Sequence, residues 1–390
     1  MTSLQLQDEP ASALPPGPRK ISRKPTGGDA VFAHTFRAIG TSVLVITGGI
    51  GLFLAYQSKP TIQHYGLKFL WTVGWDFDTG KVGVAALLVG TIQVALVAMS
   101  IAFPLALGTA LYINEYAPPK AQATLIAAVD LMAAVPSIVY GLWGRDLMMP
   151  HAGAFAMFVN RNVAPLAVHG VARTILLLVL ILAAVVAVVL RLVLGPKTVQ
   201  GRSALVVTLL AALALVPCLF VVNGDANAAN IGPQEQTFQK SAFVAGIAVA
   251  MMVLPMACAI MRQVFSLVPQ GEKEAALALG STKWGMIRTV VLPFGKGGII
   301  GGTMLGLGRA LGETIAVLLI VNLVFEIKPR IFETGVSTVS ATIAAQFGEA
   351  RDIQLSALLT AGFVLFLLTL VVNSLAAIVV NRSRSGAESS

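Results

Sequence analysis

Long apolar runs separated by short polar ones dominate the chain. Eight stretches hold the roughly 20 mostly apolar residues that a helix needs to cross a bilayer: 39–57, 82–113, 122–144, 172–191, 203–222, 241–261, 298–324 and 355–380. The second is overlong and carries Pro104, so it is expected to tilt, kink or run past the membrane. The third is weakened by Asp130 inside it. Lipid offers no water to satisfy the backbone, so runs of this length read as helices rather than barrel strands. The expected fold is an all-α integral membrane protein, a polytopic bundle of about eight transmembrane helices.

Composition agrees with this pattern. Of 390 residues, 56% are hydrophobic and 12% charged, against about 25% charged in a soluble domain. The mean hydropathy is +0.82. Lys and Arg outnumber Asp and Glu by 27 to 18. In a membrane protein such an excess sets orientation rather than pointing to nucleic acid. With the N-terminus inside, the inner segments hold 16 basic and 7 acidic residues and the outer segments 9 and 9. Both termini are therefore expected in the cytoplasm. The first 38 residues, with Arg19, Lys20, Arg23, Lys24 and Arg37, have no signal-peptide pattern and read as a disordered basic arm. Cys218 and Cys258 lie in apolar runs, and His151 and His169 are isolated, so neither pair suggests a metal site. Trp71 and Trp75 suit an outer interface. The polar stretch Glu326–Asp352 reads as an outer loop, either solvated or bearing on a docked protein.

The most informative polar segment, 262–297, lies between the runs ending at Met261 and starting at Gly298. It contains Glu274-Ala275-Ala276, then Gly280, then Val290-Val291-Leu292-Pro293. Glu-Ala-Ala-Leu-Ala-Leu is a strong helix former. Gly280 is a natural helix stop, and Ser281-Thr282 can cap a second short helix near Lys283. The expected result is a helix–turn–helix knob able to dock on a soluble partner. Gly195 to Ser203 and Gly306 to Gly312 miss the phosphate-loop and dinucleotide spacings. No triad, metal cluster or paired carboxylate suggests catalysis in this chain.

The following run carries Gly298, Gly302 and Gly306 at every fourth position, a small-residue face that admits a close helix. It also carries Arg309 and Glu313, four apart and hence neighbours on one face of an unbroken helix. Charges in a bilayer cost several kcal/mol or more and mark an aqueous path or a buried pair. One reading is an ion pair that locks two helices. The other is an anion route, with the planar fork of Arg309 matching an oxyanion, Glu313 moderating its grip and Thr314 offering a hydroxyl.

Four runs carry a resemblance. They are Ala134–Gly144, Glu274–Gly280, Val291–Phe294 and Leu305–Val317, the last reading Leu-Gly-Leu-Gly-Arg-Ala-Leu-Gly-Glu-Thr-Ile-Ala-Val. Together they resemble the PstC-type permeases of phosphate-specific ABC importers, with the knob similar to their EAA loop. The resemblance spans about 82–144 and 241–380. It implies a type I importer core in two parts, 82–144 and 241–380, with a first helix and outer segment at 39–81 and a cytoplasmic tail at 381–390. Residues 145–240, with the spans 172–191 and 203–222, are read as a departure from the family pattern. The resemblance implies a prokaryotic inner-membrane location and a heterodimer with a PstA-like permease. It further implies a homodimeric PstB-like ATPase inside that holds the ATP and Mg, and a PstS-like phosphate-binding protein outside. It places Glu274, Ala275, Ala276 and Gly280 in ATPase coupling and Arg309, Glu313 and Thr314 on the substrate pathway, with no cofactor in this chain. Sulfate or molybdate remains open on the residues alone. A secondary transporter would need a coupling-ion site or inverted repeats, and neither is evident.

Overall fold

A computed structural model describes residues 27–152, 154–155, 158, 239–328, 331–332 and 334–384. The chain forms two compact units, one ending at Phe53 and one starting at Leu54. Among described residues the first unit is helix α1 (Gly28–Gln57), whose last residues enter the second. The basic arm was expected to stay disordered up to 38, but α1 already starts at Gly28. Nothing between Gly28 and Ile39 breaks a helix, and Phe32 and Phe36, four apart, pack with ring centroids 4.3 Å apart.

In the second unit, α2 (Lys59–Tyr65) leads to a hairpin of β1 (Trp75–Asp76) antiparallel to β2 (Lys81–Val82). The Asp76 carboxylate accepts from the Thr79 hydroxyl and from the Thr79 and Asp78 amides, which holds its pKa below the usual value. Helix α3 (Ala85–Leu111) continues through a π-helical turn, Tyr112–Tyr116. The 32 residues from Ala85 to Tyr116 span about 48 Å, against about 30 Å of hydrocarbon. The overlong run therefore extends beyond the membrane. Then come α4 (Pro119–Ala134), α5 (Ser137–Trp143), α6 (Ala242–Ser266), α7 (Gln270–Ala278) and α8 (Lys283–Met286). The unit closes with α9 (Leu292–Gly312), α10 (Ile315–Ile320), α11 (Val339–Gln346) and α12 (Asp352–Arg384).

Helices α3 and α6 run parallel at the centre and share a core in which Val94, Ala95, Val97, Ala98 and Ala102 meet Val244, Ala245, Ala248 and Val249. Water drives no helix association inside lipid, so small residues and close packing carry it. The glycine face of α9 is used in this way against α6, in antiparallel order. A Cβ on Gly298 would strike Val264, one on Gly302 would lie 3.1 Å from the Ala257 carbonyl, and one on Gly306 would lie 2.7 Å from Val253.

Among the described residues, five helices are long and apolar enough to cross a membrane, and one bent pair adds a sixth crossing if it counts as a single span. Two expected spans differ from straight rods. The run 122–144 breaks at Val135-Pro136, where α4 and the helical stretch from Ser137 to Ala152 bend by 90°. Proline disfavours helical backbone at the residue before it, and Val135 is extended at φ −67°, ψ 129°. The run 298–324 ends as a helix at Gly312 and resumes as the short α10. The expected spans 172–191 and 203–222 lie outside the described residues.

Candidate functional site

The knob forms as its residues dictate. Glu274, Ala275 and Ala276 lie within α7, and the helix ends in a paired closure around Gly280. The Gly280 amide donates to Leu277 O at 2.9 Å and the Ser281 amide to Ala276 O at 3.2 Å. This pairing requires the left-handed backbone that Gly280 adopts, at φ +85°. The Thr282 hydroxyl then accepts from the Gly285 amide at 3.1 Å and starts α8. Leu277, Leu279 and Trp284 stand exposed on this knob, Leu279 at 90%. Isolated exposed apolar side chains are ordinary, but a cluster on a small rigid turn suits a docking surface.

The knob is tied to the end of α3 by three consecutive residues. Asn114 Nδ2 donates to the Arg262 carbonyl at 2.8 Å, near the end of α6. Glu115 Oε1 accepts from Lys273 Nζ of α7 at 2.6 Å. The Tyr116 ring lies 4.7 Å from Lys283 Nζ of α8. The Glu115 and Lys273 side chains are only 6% and 11% exposed. The sequence analysis did not single out this set. Its partners lie far off in the chain, and the only local signal is a lysine between the two glutamates of α7. Asp130, the acid inside the third run, finds Arg262 at 3.7 Å.

At the far end of α9, Arg309 and Glu313 do not pair. The i,i+4 neighbourhood expected from the spacing requires an unbroken helix, and Glu313 is extended at φ −67°, ψ 127°. Its carboxylate instead accepts from the Ala316 amide at 3.3 Å, at the start of α10. It is buried there, 8% exposed, where the helix dipole favours negative charge. The Thr314 hydroxyl donates to Gly312 O at 3.2 Å. Helix α10 packs on α5, where a Cβ on Gly141 would lie 2.8 Å from Ala316 Cα and one on Gly144, just after α5, 2.7 Å from Ile320.

Arg309 is thus left as an exposed guanidinium whose Nη2 donates to the Met252 thioether at 3.5 Å. That acceptor is weak. Among the described residues no carboxylate forms an ion pair with it. The remaining donors of the fork are open to a planar or tetrahedral oxyanion.

The family model of the binding-protein-dependent transport system inner membrane component matches residues 102–385, a stretch that holds the knob, the bent pair and Arg309. The chain belongs to that family. This permease is also similar to phosphate transport system permease proteins PstC from several bacteria. That of Mesorhizobium japonicum is 31% identical over 365 residues, 92% of each chain. That of Pasteurella multocida is 30% identical over 354 residues, 91% of this chain and 92% of the relative. The PstC of Xylella fastidiosa strain Temecula1 is 30% identical over 383 residues, 98% of each chain. The stretch 145–240, expected to depart from the family pattern, lies for the most part outside the described residues.

Proposed function

We propose that this permease is the membrane subunit of an ATP-driven, binding-protein-dependent importer of inorganic phosphate, with Arg309 on the phosphate path. The observation that carries the reading is the unpaired fork of Arg309 at the broken end of α9, in a chain matched nearly end to end by PstC proteins. A guanidinium held by a neighbouring carboxylate would be partly neutralised. Here the acid four residues on is spent on α10, so the positive charge is available to a dianion. Glu313 and Thr314 act by holding the break, which sets where Arg309 points.

ATP hydrolysis takes place in a separate homodimeric PstB-like ATPase, which holds the nucleotide and Mg. That ATPase docks on the knob around Glu274, Ala275, Ala276 and Gly280, with both termini of the permease in the cytoplasm. A PstA-like permease completes the pathway, and a PstS-like protein delivers phosphate from outside. Nucleotide binding closes the ATPases and moves the knob, and the bundle around Arg309 opens outward; hydrolysis reopens it inward.

Substrate identity is tested by radiolabelled phosphate uptake in cells that lack the chain and are complemented with it. Excess sulfate or molybdate is expected to leave uptake unchanged. Suppression by either anion would assign the permease to that oxyanion instead.

A further inference from the structure

The grip of Asn114, Glu115 and Tyr116 on the knob has no part in the docking surface or the anion path. We propose that the buried Glu115–Lys273 ion pair is the joint through which displacement of the knob reaches α3. Both residues are then positioning residues that set how much transport each ATP yields. The proposal rests on the reading of the chain as the membrane subunit of an ATP-driven phosphate importer.

Four observations lead to it. First, the one buried residue of α7 is Lys273. A surface helix ordinarily anchors itself with apolar side chains, which slide at little cost because hydrophobic contact is non-directional. A desolvated ion pair at 2.6 Å fixes register instead and is screened little by salt. Second, the glutamates beside it, Glu272 and Glu274, are exposed. Glu115 is therefore the acid that holds this lysine, from a different helix.

Third, Glu115 lies in the π-helical turn that ends α3, a local departure from α geometry of a kind that recurs at functional positions. The neighbours on either side of Glu115 hold α6 and α8. The end of α3 thereby grips the element before the knob and both of its helices. Fourth, α3 runs unbroken from that grip to the core around Arg309. Its Met99 side chain lies 3.6 Å from a Cβ placed on Gly306, one helical turn before Arg309. Met252, whose sulfur accepts from Arg309, belongs to the same core as Met99. A push on α7 is thus passed by a directional bond to a rod that reaches the anion path.

The test uses the full complex in liposomes, with the second permease, the ATPase and the binding protein, reading phosphate uptake and ATP hydrolysis in the same vesicles. Glu115→Gln and Lys273→Met each remove one charge of the pair while keeping its approximate volume. The expected result is a rise in ATP hydrolysed per phosphate transported of roughly 2- to 30-fold, the range for mutations that weaken coupling between sites, with hydrolysis itself nearly unchanged. The double exchange Glu115→Lys with Lys273→Glu is expected to bring the ratio back toward wild type.

A merely structural staple would lower uptake and hydrolysis together at a constant ratio, and that result would overturn the proposal. Assembly failure of both single variants shifts the decision to the double exchange. Assembly of the exchange with a near-wild-type ratio supports the joint; its failure to assemble, or a proportional loss, overturns it. Wild-type vesicles that hydrolyse ATP but take up no phosphate would overturn the substrate reading instead, and are distinguished by their lack of transport before any substitution is made.

Discussion

Replacing Arg309 by Gln is expected to lower phosphate uptake by at least roughly 10- to 150-fold, the equivalent of about 1.5–3 kcal/mol for one hydrogen bond to a charged group. The complex should still assemble in normal amounts. The side chain is exposed in this subunit, and among the described residues its hydrogen bond goes to the Met252 thioether, so its removal leaves no buried partner charge behind. Arg309→Lys should fall between the two, since it keeps the charge but loses the planar fork. Glu313→Gln is the informative companion. An amide oxygen can still accept from the Ala316 amide, so Gln should hold α10 and keep most of the uptake, whereas Ala should cost about 1 kcal/mol as the loss of a helix cap does. Equal damage from Gln and Ala would show that the charge of Glu313, and not its hold on α10, is what transport needs. Uptake and complex yield, measured side by side, separate these outcomes.

The second large effect concerns the knob. Gly280→Val forces a β-branched residue into the backbone conformation at φ +85°, which costs about 1–2 kcal/mol for an L-residue. A knob penalised to that degree populates its docking shape roughly 5- to 30-fold less. The ATPase subunit recovered with tagged permease should fall by a similar factor. Gly280→Asn should be milder, because Asn tolerates left-handed backbone. Leu279→Asp should act without altering the fold, since Leu279 is 90% exposed, and should reduce ATPase recovery by removing apolar contact. Undiminished recovery in both Gly280→Val and Leu279→Asp would place the docking surface elsewhere.

The knob was readable because each of its signals is local. A run of strong helix formers, one glycine and one capping threonine suffice, and neighbouring backbone amides satisfy them. The glycine face of α9 was readable for the same reason: its period is a property of one helix. Reading failed where a long apolar run was taken to be one helix. Pro136 marked the break in 122–144, and the effect of proline on the preceding residue would have located it. The break after Gly312 had a weaker signal. Glycine at 308 and 312 lowers helix stability, but in lipid that penalty is routinely overridden, and an acid four residues after an arginine reads as its partner. What decided the outcome was α10, whose amide Glu313 meets and whose bed is Gly141 of α5 and Gly144 just after it. The Glu115–Lys273 pair joins residues far apart in sequence, and its charges were indistinguishable from those of a solvated loop until the end of α3 was seen against α7.

The central claim is that phosphate moves through this permease at the expense of ATP hydrolysed by a separate subunit. It is tested most directly by radiolabelled phosphate uptake into liposomes carrying the reconstituted complex, with ATP supplied on the side of the knob and the binding protein on the other. The account expects accumulation that requires both and persists when ionophores collapse every ion gradient. Accumulation without ATP, or its loss on adding the ionophores, would contradict it and identify a transporter driven by ion gradients.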